Sequence, residues 1–348
     1  MDVDDLCDNC SWPYGFTYAK FYDKDDLAIY VFRQHGVLPS VVQCPHCGND
    51  CKLHSYASST SKVSLRWRCQ KTYECPVGSG KRKLCNYYIS DRKGTFLEKC
   101  HLPPWKLMLF INHFLSKYFD YELFLDEFDL SKTTIADWRS FCSEVCISAM
   151  AEQTAIGGPG KIVEIDESHF GKAKYGRGRK LSDIWVFGGI ERESTRKFAV
   201  PLTGEFSEAD SRRRDKATLL PLIEKYILPG TLIMSDGWKA YEDIALIEGR
   251  NYTHKVINHS ECYVDPTDRT VHTQNIERMW RSMKEDYARP GIRAEYFNQY
   301  IARFLFRENS AETPPNRRLH RFLRAAAKLY PHGSVRTECD SDSDNSDY

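Results

Sequence analysis

Three acidic residues occupy positions from which their side chains could bind divalent metal ions. Asp166 follows the largely apolar run Ile162–Ile165 and Asp236 follows Leu232–Ser235, so we expect each aspartate at the carboxyl end of a strand. The third, Glu277, lies in a segment whose apolar residues recur at helical spacing. Carboxylates at strand ends project into the crevice where open sheets bind ligands, and their oxygens are preferred ligands of hard cations.

Three such carboxylates would suit two Mg²⁺ or Mn²⁺ ions, which activate the attacking oxygen and stabilise the leaving oxygen in phosphoryl transfer. Taken singly, an aspartate after a strand more often caps a turn or a helix. Glu167 is either a competing ligand or a supporting group, and it would point to the opposite side if the strand continued past Asp166. His272 and Asn275 either position a scissile phosphate or flank a helix cap at Thr273.

Spaced cysteines indicate a second metal site. The chain has 13 cysteines and begins without a recognisable signal peptide, so we expect a reducing compartment in which paired cysteines bind metal. Cys44 and Cys47 can place two thiolates on one ion, and tetrahedral zinc requires two further ligands, of which Cys69 is the first candidate. The weaker alternates are Cys51, His46 and His54.

Two further segments are candidates for DNA contact. Lys132, Thr133 and Thr134 begin an amphipathic helix that follows a shorter one at Tyr121–Phe128, as in a helix-turn-helix whose second helix enters the major groove. The alternative is a helical bundle that serves only as a spacer. After the Asp166 strand, basic residues interleave with glycines, which favours phosphate neutralisation over a merely solvated hairpin. These basic residues are Lys172, Lys174, Arg177, Arg179 and Lys180.

Hydrophobic periodicity predicts the elements that must hold the carboxylates. The order is strand, strand, strand, helix, strand: Lys161–Ile165, Ile184–Ile190, Lys197–Leu202, Lys216–Tyr226 and Thr231–Met234. Further helices are predicted at Lys24–His35, Thr273–Asp286 and Arg293–Arg307.

Composition sets outer bounds. A chain of 348 residues is long enough for two or three domains with sizeable cores. Its 41% hydrophobic and 28% charged residues are ordinary for a globular protein, which argues against a disordered or fibrous chain. No apolar run is long enough to span a bilayer, so we expect no membrane segment. The net charge of +1 conceals local basic and acidic segments and does not exclude nucleic acid.

From Val41 to about Phe306 the chain resembles the Merlin transposases and their bacterial relatives, the IS1016 and ISXO2-like (IS1595) group of DDE transposases. The motifs that carry the resemblance are Cys44-Pro45-His46-Cys47-Gly48, Trp67-Arg68-Cys69, Gly94-Thr95-Phe96, Ile165-Asp166-Glu167-Ser168, Ser235-Asp236-Gly237-Trp238-Lys239-Ala240-Tyr241 and Val271-His272-Thr273-Gln274-Asn275-Ile276-Glu277.

The resemblance implies an α/β fold whose RNase H-like catalytic domain, a mixed sheet flanked by helices, holds Asp166, Asp236 and Glu277 as a metal-binding triad. A zinc ribbon-like module and a helical, helix-turn-helix-like DNA-binding region would precede that domain. By the same resemblance Cys85 is the fourth zinc ligand, after an insertion that follows Cys69. Cys75 lies within this insertion and is the alternate ligand.

The expected organisation has five parts. Residues 1–40 form an N-terminal helical segment, 41–100 the zinc ribbon-like module and 101–150 the helical region. Residues 161–310 form the catalytic domain, and 311–348 a C-terminal helix followed by an acidic, disordered tail.

The expected function is cut-and-paste DNA transposition, in which the chain cleaves transposon ends and transfers the 3′-OH into target DNA. The resemblance implies two Mg²⁺ or Mn²⁺ ions, a structural Zn²⁺, binding to terminal inverted repeats and target DNA, and a homodimer or higher homo-oligomer. A eukaryotic protein of this kind would be nuclear, and a bacterial one cytoplasmic. The alternatives are a domesticated DNA-binding protein and an RNase H-like nuclease without strand transfer.

Overall fold

The computed structural model describes residues 12–56, 64–74, 78, 80–170, 184–194, 196–202, 214–257, 268–287, 296–309 and 317–332. The chain divides into two compact units, of which the first comprises Met1–Phe110 with Leu319–Tyr348 and the second comprises Ile111–Arg318. No helix in the described part is both long and apolar enough to cross a membrane.

Three helices of the first unit each bury a phenylalanine side chain: Phe21, Phe32 and Phe322. They are α1 (Tyr14–Phe21), α2 (Asp25–Gln34) and, from the C-terminal part of the chain, α8 (Arg318–Leu329). The predicted helix at Lys24–His35 is confirmed by α2, which ends before Gly36, a glycine at φ +74°. Helix α1 was not predicted. In the same unit the Phe96 ring packs edge-on against Phe322, with ring centroids 6.0 Å apart.

A small antiparallel sheet forms the rest of the first unit. Its strands are β1 (Lys52–Tyr56), β2 (Ser64–Arg68) and β5 (Tyr88–Ser90), with β2 in the centre. Between β2 and β5 in the sequence, β3 (Thr72–Glu74) and β4 (Arg82–Leu84) pair as an antiparallel hairpin.

Helical structure leads into the second unit. α3 (Pro104–Phe114) crosses the boundary between the units, and α4 (Lys132–Ala151) lies within the second. The predicted helix at Tyr121–Phe128 is confirmed: the chain is helical from Tyr121 to Glu127, and Leu123–Glu127 are π-helical. The helix ends there because Asp129 takes a positive φ and the Leu130 N–H donates to the Phe124 carbonyl.

The second unit is built on a five-stranded mixed sheet. Its strands are β7 (Ile162–Phe170), β8 (Ile184–Glu191), β9 (Lys197–Pro201), β11 (Leu232–Asp236) and β12 (Thr253–Ile257), in the spatial order β12-β11-β7-β8-β9. β7, β8 and β9 are antiparallel neighbours, whereas β11 is parallel to both β7 and β12. The predicted order of three strands, a helix and a strand is confirmed, and β12 is an addition.

Helices cover both faces of this sheet. α5 (Lys216–Tyr226) packs on the face that includes Val163 and Ile165, and α6 (Gln274–Tyr287) and α7 (Phe297–Glu308) pack on the face that includes Phe170. Successive strand residues point to opposite faces, so odd and even positions near the start of β7 enter different cores. Two short parallel strands, β6 (Ile156–Gly157) and β10 (Ile227–Leu228), form a separate two-stranded sheet. In the sequence β6 comes directly before β7, and β10 comes directly before β11.

Candidate functional site

Asp166 and Asp236 occupy equivalent positions on neighbouring parallel strands. β11 pairs with β7 through Leu232–Ile162 to Met234–Glu164, and extending this register by two residues puts Asp236 beside Asp166. Neighbouring strands lie about 4.8 Å apart, so the two carboxylates share one region of one face. The structure therefore brings together two of the three predicted acids.

The expected position of Asp166 at the end of a strand is wrong. β7 continues four residues beyond it to Phe170, because Asp166 and the residues after it still pair with β8. Only the pairing with β11 ends before Asp166. The aspartate thus lies within an antiparallel pair, at the point where the parallel neighbour stops, whereas Asp236 ends its own strand as predicted.

Continuation of β7 also settles the direction of Glu167. The Tyr241 hydroxyl donates a 2.6 Å hydrogen bond to Glu167 Oε1, and Tyr241 belongs to the core on the α5 face. Asp166 instead accepts a 3.0 Å hydrogen bond from the indole N–H of Trp280, a residue of α6. The two neighbouring acids therefore point to opposite faces of the sheet.

Gly188 makes room for the indole of Trp280. It pairs directly with Asp166 across the strands, and a Cβ at Gly188 would lie 2.5 Å from Trp280 Cη2. The absence of a side chain opposite Asp166 therefore lets the indole approach the carboxylate.

The neighbouring carboxyl groups of Asp166 and Glu167 both have raised pKa values. Burial raises the pKa of Asp166 to about 7, and the negative charges of Glu167 and Asp236 add to the rise. Burial likewise raises the pKa of Glu167 to about 7, against the hydrogen bond from Tyr241. A concentration of partly buried carboxyl groups of this kind is typical of a site that binds a cation.

Glu277 extends from the exposed side of α6, one helical turn before Trp280. Its helix is held to the sheet by Ile276, Met279, Trp280 and Met283, which are all buried. Asp166, Asp236 and Glu277 do not form a set whose ligand atoms all lie within 4.8 Å; among the described residues, only four cysteines do. The third acid is thus on a helix that packs against the strand of Asp166, but the three carboxylates are not gathered within 4.8 Å of one another.

Glu164 is a buried carboxylate that the sequence did not identify as functional. It lies on β7 two residues before Asp166, and therefore on the same face. Its Oε2 accepts hydrogen bonds from the backbone N–H groups of Asn275 at 2.9 Å and Ile276 at 3.0 Å, at the start of α6. A carboxylate at this position satisfies N–H groups that lack partners within the helix and interacts favourably with the helix dipole.

Arg192 completes this network. Its Nε donates to Glu164 Oε1 at 2.7 Å, and its terminal nitrogens donate to the carbonyls of Thr270 at 2.6 Å and His272 at 2.8 Å. The Asn275 side-chain amide also donates to Glu164, at 2.7 Å. Glu164 and Arg192 thus fix the segment that precedes α6, and with it the helix that carries Glu277.

The raised pKa of Asp166 predicts a pH-dependent stability difference. A carboxyl group whose pKa rises on folding stabilises the protein fully below its unfolded pKa of about 4, and this contribution is lost as pH rises through the folded pKa of about 7. As the pH rises from about 4 to about 7, the free energy of unfolding of Asp166→Asn should therefore increase relative to that of wild type. Thermal unfolding without added Mg²⁺ or Mn²⁺ measures this, with the exposed Asp126→Asn as control. A constant Asp166→Asn difference across that window would contradict the assignment.

Four cysteines of the first unit form a compact cluster. The sulfur atoms of Cys44, Cys47, Cys69 and Cys85 all lie within 4.8 Å of one another, with Cys44–Cys85 at 3.4 Å and Cys47–Cys69 at 3.5 Å. These distances are far longer than a disulfide of about 2.05 Å. Four sulfurs at about 2.3 Å from a tetrahedral zinc would be roughly 3.8 Å apart, so the cluster fits zinc.

The β3–β4 hairpin explains how Cys85 joins Cys69 despite the separation in sequence. The hairpin loops out the intervening residues, and the Cys85 N–H then donates to the Lys71 carbonyl at 2.8 Å. The expected insertion is therefore a hairpin. Cys51 is buried nearby but outside the cluster, and the alternate ligand Cys75 lies outside the described residues.

Cys85→Ser should lower bound zinc from about one ion per chain to nearly none, because structural zinc sites need all four ligands. Cys75→Ser serves as the matched control and should retain zinc. Metal analysis of purified protein measures both, and the reverse result would assign Cys75 as the ligand.

The predicted DNA-contacting residues have different outcomes. At the start of α4 the Ser131 hydroxyl accepts from the Thr134 N–H at 3.1 Å and caps the helix, while Lys132 and Thr133 are exposed. DNA contact by Lys132, Thr133 and Thr134 stays a prediction. Lys172, Lys174, Arg177, Arg179 and Lys180 lie outside the described residues.

Comparison with known proteins agrees with the sequence motifs. Residues 157–309 match the model of the ISXO2-like transposase domain, a range that includes Asp166, Asp236 and Glu277. No curated protein matches the chain. A similar solved chain belongs to the cryo-EM structure of the simian T-cell lymphotropic virus intasome in complex with PP2A regulatory subunit B56 gamma.

That similarity is remote. The identity is 14%, the match covers 53% of this chain and 60% of the other, and the TM-score is 0.25, which is too low to carry an argument. This chain therefore matches less than two thirds of the other chain's length. The family match does not depend on it. Residues 157–309 thus match the ISXO2-like transposase domain.

Proposed function

We propose that the chain is a DDE transposase that cleaves DNA at transposon ends and joins the freed 3′-OH to target DNA. The observation that carries this proposal is the pair Asp166 and Asp236, adjacent on one face of the sheet within the ISXO2-like domain. Both reactions are in-line phosphoryl transfers, for which acidic residues that hold divalent metal ions are the usual protein contribution.

An RNase H-like fold for this domain is supported by its strand order. Numbered along the chain from β7, the five main strands have the spatial order 5-4-1-2-3, with the first three antiparallel and the last two parallel to the first. The acids lie on strands 1 and 4 and on the helix α6 that follows strand 5. This topology supports the assignment.

Asp166, Asp236 and Glu277 would hold the metal ions. The raised pKa of Asp166 supports this, because a divalent cation offsets the repulsion between neighbouring carboxylates that burial intensifies. When bound, Mg²⁺ or Mn²⁺ supplies stabilisation of the negative charge that develops on the attacking and leaving oxygens.

Other residues of the chain position this triad. The Trp280 N–H orients the Asp166 carboxylate, and Glu164 with Arg192 anchors the start of α6 so that Glu277 extends from a fixed helix. The metal ions would then bring the three carboxylates together.

The partners and structural metal follow from the same proposal. The four cysteines would hold a structural Zn²⁺, while Lys132, Thr133 and Thr134 would contact DNA together with the basic residues 172–180. The protein would bind two DNA substrates, the transposon ends and the target. The active complex would be a homodimer or higher homo-oligomer.

The products of an in vitro reaction test the proposal. The full-length protein is incubated with Mn²⁺ or Mg²⁺, labelled DNA that ends in the inverted repeats of its own element, and a target plasmid. A transposase should yield cut ends with free 3′-OH groups and then labelled DNA covalently joined to the plasmid. Cleavage without joined product would favour a nuclease, and DNA binding without cleavage would favour a domesticated protein.

A further inference from the structure

One face of the β1-β2-β5 sheet is basic and aromatic. In an antiparallel sheet, directly paired residues share a face. The register aligns Lys52 with Arg68 and Tyr88 in one row, and His54 with Arg66 and Ser90 in the next; Tyr56 pairs with Ser64 in the last. We call these eight positions the basic face of the first unit.

The opposite face of the same sheet has another role. Leu53, Trp67 and Ile89 form one of its rows, and Trp67 and Ile89 pack in the cluster that contains the zinc-site cysteines. Trp67 and Ile89 are therefore covered on the cysteine side, whereas Leu53 at the edge of that face is exposed. On the basic face Lys52, Tyr56 and Tyr88 are exposed.

Within the described part of the chain, no acidic side chain pairs with the charges of the basic face. β1, β2 and β5 contain no aspartate or glutamate, and Lys52, Arg66 and Arg68 form no ion pair with any described residue. Lys52 stands directly opposite Arg68, a like-charge pairing that destabilises a sheet. A polyanion bound across these rows would convert this repulsion into attraction.

Arg66 is held in place by two aromatic rings. Its guanidinium carbon lies 4.7 Å from the ring centroid of Tyr56 and 5.5 Å from that of Tyr88. Stacking of this kind restrains the guanidinium while its donor groups remain available, and arginine donors match the geometry of phosphate oxygens. The arrangement prepares Arg66 for an anionic ligand.

We propose that the basic face binds the phosphate backbone of DNA through Lys52, Arg66 and Arg68. The commitment to DNA, instead of an acidic protein, rests on the proposed transposase function. Contacts of this type hold DNA without reading its sequence, so their contribution is uniform across sequences and strongly dependent on salt.

Binding of the full-length protein to a fluorescent duplex of arbitrary sequence, measured over a range of salt concentrations, tests the proposal. Each phosphate contact contributes a slope of about −0.9 in log K against log salt. Lys52→Gln combined with Arg66→Gln and Arg68→Gln should make the slope shallower by about two to three units and weaken binding roughly 100-fold at 0.1 M salt.

A matched control carries Lys24→Gln, Lys99→Gln and Lys328→Gln, three exposed lysines of the same unit that lie outside the basic face. Its affinity should remain within about threefold of wild type and its slope unchanged, because only the contacting charges release counterions. Thermal unfolding and zinc content show whether each variant is folded. If the basic-face variant misfolds, a double variant with Lys52→Gln and Arg68→Gln takes its place. This double variant leaves Arg66 between its tyrosines and should make the slope shallower by about one to two units.

Several outcomes would overturn the assignment. Equal affinity and slope for wild type and the basic-face variant would exclude DNA from this face, as an acidic protein partner would predict, and would leave the proposed function intact. Equal losses of DNA affinity in the basic-face variant and the control would show that binding depends only on the net charge of the protein. A wild-type protein that does not bind DNA would contradict the proposed function and this proposal together.

Discussion

Asp236→Asn is expected to lower metal-dependent DNA cleavage roughly 10³- to 10⁴-fold while the protein remains folded. The change removes a negative charge beside Asp166 but keeps the carbonyl oxygen that can still accept from the Trp238 N–H, now at 3.1 Å. The loss should therefore appear in the rate and not in the stability. Single-turnover cleavage measured alongside thermal unfolding separates the two.

A second aspartate provides the matched control. Asp243 lies seven residues after Asp236 and forms an ion pair with Lys216. Asp243 is not among the charges that raise the pKa of Asp166, so Asp243→Asn removes an equal charge and should retain most of the activity. Normal cleavage by Asp236→Asn would exclude Asp236 from the catalytic triad.

Glu164→Ala is expected to destabilise the protein by about 3–5 kcal/mol, because removing one partner of a buried ion pair leaves the other uncompensated. The Glu164 side chain is fully buried, and Arg192 would keep its charge with 14% of its side chain exposed. Two backbone N–H groups at the start of α6 would also lose their acceptor. Denaturant unfolding measures the difference in free energy.

Two companion variants sharpen this prediction. Glu193→Ala removes an exposed carboxylate next to Arg192 and should change stability by less than about 0.5 kcal/mol. Glu164→Gln keeps an acceptor for the helix but loses the charge that pairs with Arg192, so it should fall between the other two. A Glu164→Ala protein as stable as the Glu193→Ala protein would show that the network does not anchor α6.

The strands that carry the aspartates were predictable because their apolar runs are short and bounded by turns. The end of β7 was not, since Asp166 to His169 are polar and interrupt the apolar pattern. The strand persists there because β8 continues to pair with it, and cross-strand pairing is a long-range interaction that periodicity does not contain.

Glu164 left one signal in the sequence. It is a charged residue inside an otherwise apolar strand, and carboxylates are almost never fully buried unless they are paired. The sequence therefore indicates that Glu164 is a buried carboxylate that needs a charged or hydrogen-bonding partner. Those partners are Arg192 and the start of α6, 28 and 111 residues further along, so only the fold identifies them.

The four-cysteine cluster could be predicted only in part. Cys44, Cys47 and Cys69 follow from spacing, whereas the choice of Cys85 required a family pattern that the insertion disrupts. The β3–β4 hairpin is the physical reason, because it brings the two ends of the insertion together. Likewise, no local pattern predicts that α8 belongs to the same compact unit as α1 and α2.

The central claim is that Asp166, Asp236 and Glu277 together hold divalent metal ions for phosphoryl transfer. Electron paramagnetic resonance can count the Mn²⁺ ions bound to the full-length protein in the presence of duplex DNA that represents a cleaved transposon end. We expect about two ions per chain for wild type, and their loss when Asp166→Asn, Asp236→Asn and Glu277→Gln are combined. Equal numbers of bound ions in the wild type and the triple variant would contradict it.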